Sequence, residues 1–165
     1  MPRPGTNAFA ASVARGIAVH QDSLEFGKLS SEICWDAVAH CLLLAGFKAP
    51  AVQLPSRPLL VNTRDPQILS AAAMGNVPEG HVIGFFTQKP GDSPIMYHQM
   101  IATGAGAAAG NKNSCIGIGS PVGWELLDLT TLNWQPGGRV VGDGGSDLSV
   151  HHRSPEGSLP IKSST

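Results

Sequence analysis

Neither sign of charge predominates in the chain, where 11 lysines and arginines stand against 12 aspartates and glutamates. No basic field exists to hold a polyanion, and nucleic acid is therefore not expected as a partner. Charged side chains of both signs make up only 14% of the sequence, well below the roughly 25% of an average globular domain. No uninterrupted apolar run approaches the ~18 residues that a membrane span requires. At the N-terminus Arg15 breaks the apolar stretch before a secretory h-region is long enough, so a Sec signal is not expected, and an exported chain would leave by a route that reads no cleavable signal. The three cysteines, Cys34, Cys41 and Cys115, are odd in number and far apart. They suit a reduced compartment better than a disulfide framework, and their spacing matches no zinc pattern. Internal repeats are absent too.

What the sequence does contain is enough apolar material for a core, 42% of 165 residues, which favours one domain. Its 20 glycines and 13 prolines favour many turns between short elements. A single folded domain is expected over residues 1–148. A flexible tail is expected over 149–165, because the stretch from Gly137, "GGRVVGDGGSDLSVHHRSPEGSLPIKSST", is rich in small and polar residues.

Periodicity predicts a first helix over Asn7 to Val19, where Phe9, Val13 and Ile17 recur at four-residue intervals. Pro50, Pro55, Pro58 and Pro66 forbid a long helix in the next connection. One short strand at Leu59 to Val61 and a short helix at Pro66 to Met74 are expected there. Strands are predicted at "HVIGFFTQ", "IMYHQMIAT", "CIGIG" and "GWELLDLTTL". Helices first and strands afterwards is the order of an α+β fold.

The most informative stretch is "LSSEICWDAVAHCLLLAG", Leu29 to Gly46. Ser30 or Ser31 suits an N-cap, Glu32 suits the positive end of the macrodipole, and Gly46 suits the stop. Cys34 thus falls in the first turn, where partial positive charge favours the thiolate and the free amides can hold an oxyanion. Cys41, inside the helix, has neither advantage. The plain alternative is that Cys34 is a small buried hydrophobe.

A nucleophilic thiol needs a base. His20 falls in a loop, His40 lies on the cysteine helix but points away from its start, and His151 and His152 fall in the expected tail. His81 is explained by a turn or strand edge. His98, between apolar neighbours in "MYHQMIAT", needs a partner to be buried. A satisfied core histidine would look the same, but a cysteine opening a helix followed by a histidine on a strand is the order of papain-like thiol hydrolases. "GAGAAAG", Gly104 to Gly110, matches a dinucleotide-type glycine pattern without the helix that pattern needs. It is read as a flexible loop beside the site.

Together "SEICWDAVAHCLLLAG", "MYHQMIATGAGAAAGNKNSCIGIG" and "GWELLDL" resemble the TecA family of type VI secretion effectors over about residues 28–145. The resemblance implies a papain-like α+β fold, with a central helix packed on an antiparallel sheet. It also implies a Cys-His-Asp triad that deamidates a switch I asparagine of host Rho-family GTPases, inactivating them in the host cytosol. Carried onto this chain, Cys34 is the nucleophile, His98 the general base and acid, and Asp143 the third member. From the residues themselves Asn113 competes with Asp143, and Asp128 is a third option. No metal or organic cofactor is required, and a monomer is expected. A cysteine protease or a peptidoglycan amidase or endopeptidase of NlpC type would share the first chemical step. A non-enzymatic interaction domain is the remaining alternative.

Overall fold

The computed structural model describes residues 2–87 and 91–162. Three helices lead the chain: α1 over Asn7–Val19, α2 over Leu24–Ser31 and α3 over Cys34–Leu44. Thr6 caps α1 by accepting from the amide of Phe9, and Ser23 caps α2 by accepting from that of Phe26. A short α4, Ala71–Met74, follows the proline-rich connection. The strands are β1 Val82–Thr87, β2 Ile95–Gly104, β3 Ala107–Asn111, β4 Trp124–Asp128, β5 Trp134–Gln135, β6 Arg139–Val141 and β7 Asp147–Arg153. They form one antiparallel seven-stranded sheet in the order β4-β3-β2-β1-β7-β6-β5. The fold is α+β, and α1 matches its expected bounds.

Both faces of the sheet are covered. On one, Ala10, Ala14 and Ile17 of α1 and Val38 and Leu42 of α3 pack with Val82, Phe86, Ile101 and Ala109. On the other, Ile83, Phe85, Met100, Ala108, Leu148 and Val150 pack with Met74, Ile116 and Leu129. The strand residues alternate between these two clusters, as the pleat requires.

The single helix expected from Ser30 or Ser31 to Gly46 is two helices. Ser30 and Ser31 close α2, Glu32 and Ile33 are extended, and α3 begins at Cys34 with no side-chain cap. The break has a cause in the sheet. Asn111, fully buried at the end of β3, donates its carboxamide to the carbonyls of Leu29 and Glu32, holding backbone groups that a continuous helix would have used internally. Glu32, released from the helix, accepts from Nδ1 of His40 at 2.8 Å.

Four further expectations are corrected. "CIGIG" is no strand, because a 3-10 turn over Asn113–Ile116, entered through a left-handed Lys112, takes the chain off the sheet. Leu59 to Val61 pairs with no strand, and the nearest pairing is an isolated bridge between Leu54 and Arg57. The glycine-rich stretch is a hairpin: Gly104, Ala105 and Gly106 take positive φ at the tip, and "AAAGN" then runs as β3. Its Ala109 packs with α1 on one face and its Ala108 faces the other cluster, so the strand is chosen by packing and not by propensity.

Finally, the domain does not end at 148. Residues 147–153 are β7, hydrogen-bonded between β1 and β6 with Leu148 to His151 buried. Beyond it Glu156 accepts from the Asn7 amide, and Ile161 bridges Phe47. The expected tail is thus part of the fold as far as residue 162; positions 163–165, like Gln88 of the expected first strand, lie outside the described residues.

Candidate active site

Helix α3 aims its start at β2. Cys34 is its first residue, 5% exposed. The backbone amide of Gln99, on β2 immediately after His98, faces the sulfur together with the amides of Trp35 and Cys34 itself. Lys112, in the link from β3 to the 3-10 turn, adds a favourable positive charge. These groups do favour the thiolate, but burial outweighs them and pushes the thiol up from 9.0 to about 11. The helix start thus acts in the expected direction, and the net pKa is nonetheless above the ordinary value because the sulfur is buried. Cys41, wholly buried inside α3, is pushed up further by desolvation alone.

His98 is fully buried near the start of β2, next to an irregularity in the pairing with β1, where Phe85 opposes His98 and Phe86 opposes Met96. Bulges of this kind commonly re-aim a side chain beside a site. The imidazole packs against the Phe85 ring at a centroid distance of 5.8 Å. Its Nε2 lies 2.9 Å from Oδ1 of Asn113. The carboxamide nitrogen of Asn113 donates to the Gly110 carbonyl at 2.9 Å and to Oε1 of Glu125 at 3.1 Å. Oδ1 is therefore the acceptor, Nε2 carries the proton, and Nδ1 holds the lone pair. That Nδ1 is buried without a partner among the described residues. Desolvation lowers the His98 pKa from 6.5 to about 4, against the opposing effect of Asn113.

At neutral pH Cys34 is thus a neutral thiol and His98 a neutral imidazole with its lone pair on Nδ1, and among the described residues no hydrogen bond joins the two. Cys115, in the 3-10 turn with Asn113, stands close enough to Cys34 for their charges to interact, and burial pushes its thiol up to about 12.

Asp143, the expected third member, lies away from His98. It is exposed in the turn Asp143–Gly145, its charge acts on Cys115, and among the described residues no hydrogen bond joins it to His98. The turn residue between two glycines has stayed a turn residue. Asp128 is also removed: it opposes Ala107 at the far end of β3 and accepts from the amide and hydroxyl of Thr130. Of the three candidates only Asn113, fully buried, is bonded to His98 among the described residues.

The other histidines are accounted for locally. His20 bonds the Gly16 carbonyl, His40 bonds Glu32, His81 and His152 meet through their Nδ1 atoms, and His151 bonds Ser149 and the Asp65 carbonyl. Sequence reasoning missed Lys112 and Glu125. Neither carries a local signal, since both reach the site through the path of β3, the 3-10 turn and β4. No cluster of three or more metal-ligating side chains exists among the described residues. No helix among them is long and apolar enough to cross a membrane. Comparison with protein-family models, curated proteins and solved structures finds no match.

Proposed function

We propose that the chain is a cysteine-dependent amidohydrolase with a papain-like core, using Cys34 as nucleophile, His98 as general base and acid, and Asn113 to orient the imidazole. The observation that carries this reading is the state of His98: Nε2 is fixed to Asn113 at 2.9 Å while a buried Nδ1 on the same ring has no partner. An orphaned buried acceptor is costly, and this one belongs to the residue before Gln99, whose amide faces the Cys34 sulfur; the thiol is not bonded to it at rest and would have to turn toward it when substrate binds.

His98 Nδ1 takes the Cys34 proton as sulfur attacks a side-chain amide carbon. The carbon–sulfur bond forms, and backbone amides at the start of α3 stabilise the oxyanion. Collapse breaks the carbon–nitrogen bond, and His98 gives its proton to the departing ammonia. Water then attacks the thioester while His98 accepts a water proton. Cleavage of the carbon–sulfur bond leaves a carboxylic acid, that proton returns to sulfur, and the acid releases its own proton to solvent to become the carboxylate.

The substrate follows from the resemblance: a switch I asparagine of Rho-family GTPases, converted to aspartate by an effector exported through type VI secretion and acting in the host cytosol. The sequence likeness in the helix and strand supports that choice, and Asn113 in place of an aspartate departs from it. The test is peptide mass spectrometry of purified Rho GTPase after incubation with wild type or Cys34→Ala. An amide-to-acid mass gain with wild type alone is expected. Fragmentation would indicate a protease instead, and an unmodified asparagine with both proteins would refute the deamidase.

A further inference from the structure

Asn113 can serve His98 only if its carboxamide faces the ring with oxygen. A planar amide turned by half a revolution would present nitrogen, donate to Nε2, and leave Nδ1 as the protonated atom. The site would then hold the wrong tautomer for taking a proton from sulfur.

Two acceptors oppose that turn. The Gly110 carbonyl is fixed by the sheet, and the carboxylate of Glu125 on β4 comes from a side chain. Oε1 of Glu125 is itself held, since it also accepts from the backbone amide of Ser120 at 2.5 Å. The loop before Ser120 is packed tightly onto both partners. A Cβ on Gly119, which has φ +86°, would lie 2.6 Å from Oε1 of Glu125 and 2.9 Å from Cβ of Asn113. The Ser120 carbonyl returns to accept from the Ser114 amide, one residue after Asn113. The 3-10 turn, the loop and β4 thus form a closed frame around one carboxamide.

We infer that Glu125 is a positioning residue that fixes Asn113 with its oxygen toward His98, and thereby sets the imidazole tautomer from two residues away. Its part in turnover rests on the thiol-hydrolase reading, whereas its control of the tautomer does not. An ionised carboxylate can only accept, so it selects the amide nitrogen of Asn113 without ambiguity. Nothing else about Glu125 requires an acid, because the Ser120 amide needs only an oxygen.

Long-range proton–nitrogen NMR of the 15N-labelled full chain at neutral pH tests this, with the His98 ring assigned by loss of its signals in His98→Gln. Wild type is expected to show His98 protonated at Nε2. Glu125→Met, which keeps volume but removes the acceptor, is expected to shift the ring toward the Nδ1-protonated form. Glu125→Gln, whose carbonyl oxygen can accept from both Asn113 and Ser120, is expected to restore the wild-type pattern. If Glu125→Met does not fold, Glu125→Ala, which leaves room for water, takes its place in the comparison. A folded Glu125→Met or Glu125→Ala with the wild-type tautomer overturns the inference, as does a Glu125→Gln that behaves like Glu125→Met. On a Rho GTPase, kcat should fall roughly tenfold or more in Glu125→Met with KM little changed, and recover in Glu125→Gln. Tautomer changes without turnover in wild type would retain Glu125 as the positioning residue and reject the hydrolase reading alone.

Discussion

The carboxamide oxygen of Asn113 accepts from Nε2 of His98 at 2.9 Å, and both residues are fully buried. The bond joins the start of β2 to a 3-10 turn 15 positions further along the chain. It assigns the proton on the ring and leaves Nδ1 as the free base.

Substitutions at the three candidate third members should therefore separate cleanly. Asn113→Ala is expected to reduce kcat by about 10²–10⁴-fold, the range associated with losing an orienting group, while Asp143→Ala and Asp128→Ala stay near wild type. Cys34→Ala should abolish turnover. Single-turnover assays with the same Rho GTPase measure all four, and a large loss in Asp143→Ala with none in Asn113→Ala would reverse the assignment.

Stability should fall on both sides of neutrality. The folded pKa of His98 is depressed from 6.5 to about 4, so between those values the unfolded chain binds the proton and the folded chain does not. Stability therefore rises with pH across this window, and acidification through it removes up to about 3 kcal/mol. His81 and His152, half-buried and also depressed by desolvation, act in the same direction. Cys34 is raised from 9.0 to about 11, so above pH 9 the unfolded chain loses a proton the folded chain keeps, and stability declines as pH rises. Urea midpoints at pH 5, 7 and 10 check both limbs: His98→Gln should flatten the acid one, and Cys34→Ala the alkaline one.

Asn111→Ala should destabilise the fold by about 1–3 kcal/mol, because it leaves the carbonyls of Leu29 and Glu32 without their buried donor. It should also loosen the start of α3. Hydrogen exchange at the Trp35 and Asp36 amides is expected to accelerate more than at amides in α1, whereas uniform acceleration would assign Asn111 a purely global role.

A chain ending at 148 should not fold. It would lose the strand that joins β1 to β6, along with the buried Val150 and His151. Circular dichroism and a cooperative thermal transition would report this, and a native-like melt would show that β7 is dispensable.

The parts of this fold legible in the sequence are those whose own periodicity decides them. α1 shows its four-residue repeat, and β1 and β2 show runs of Val, Ile, Phe and Met. What was hidden is decided by partners distant in the chain. The α2–α3 break is made by Asn111, the alanines of β3 become a strand because both faces of it are packed, and "DLSVHHR" reads as polar although Ser149 and His151 are buried in the sheet. The same division runs through the site. Cys34 and His98 were accessible from their local settings, and Asn113 stood among the alternatives. Glu125 is invisible until β4 is seen beside the 3-10 turn.

The covered, protonated state of the Cys34 sulfur carries a chemical consequence. Peroxides and alkylating agents attack thiolates, and catalytic cysteines are often the first casualties of oxidation. A thiol that is 5% exposed with its pKa pushed to about 11 offers such reagents almost no target. The Cys34 sulfur should therefore survive an oxidising milieu and react with electrophiles more slowly than a free thiol does.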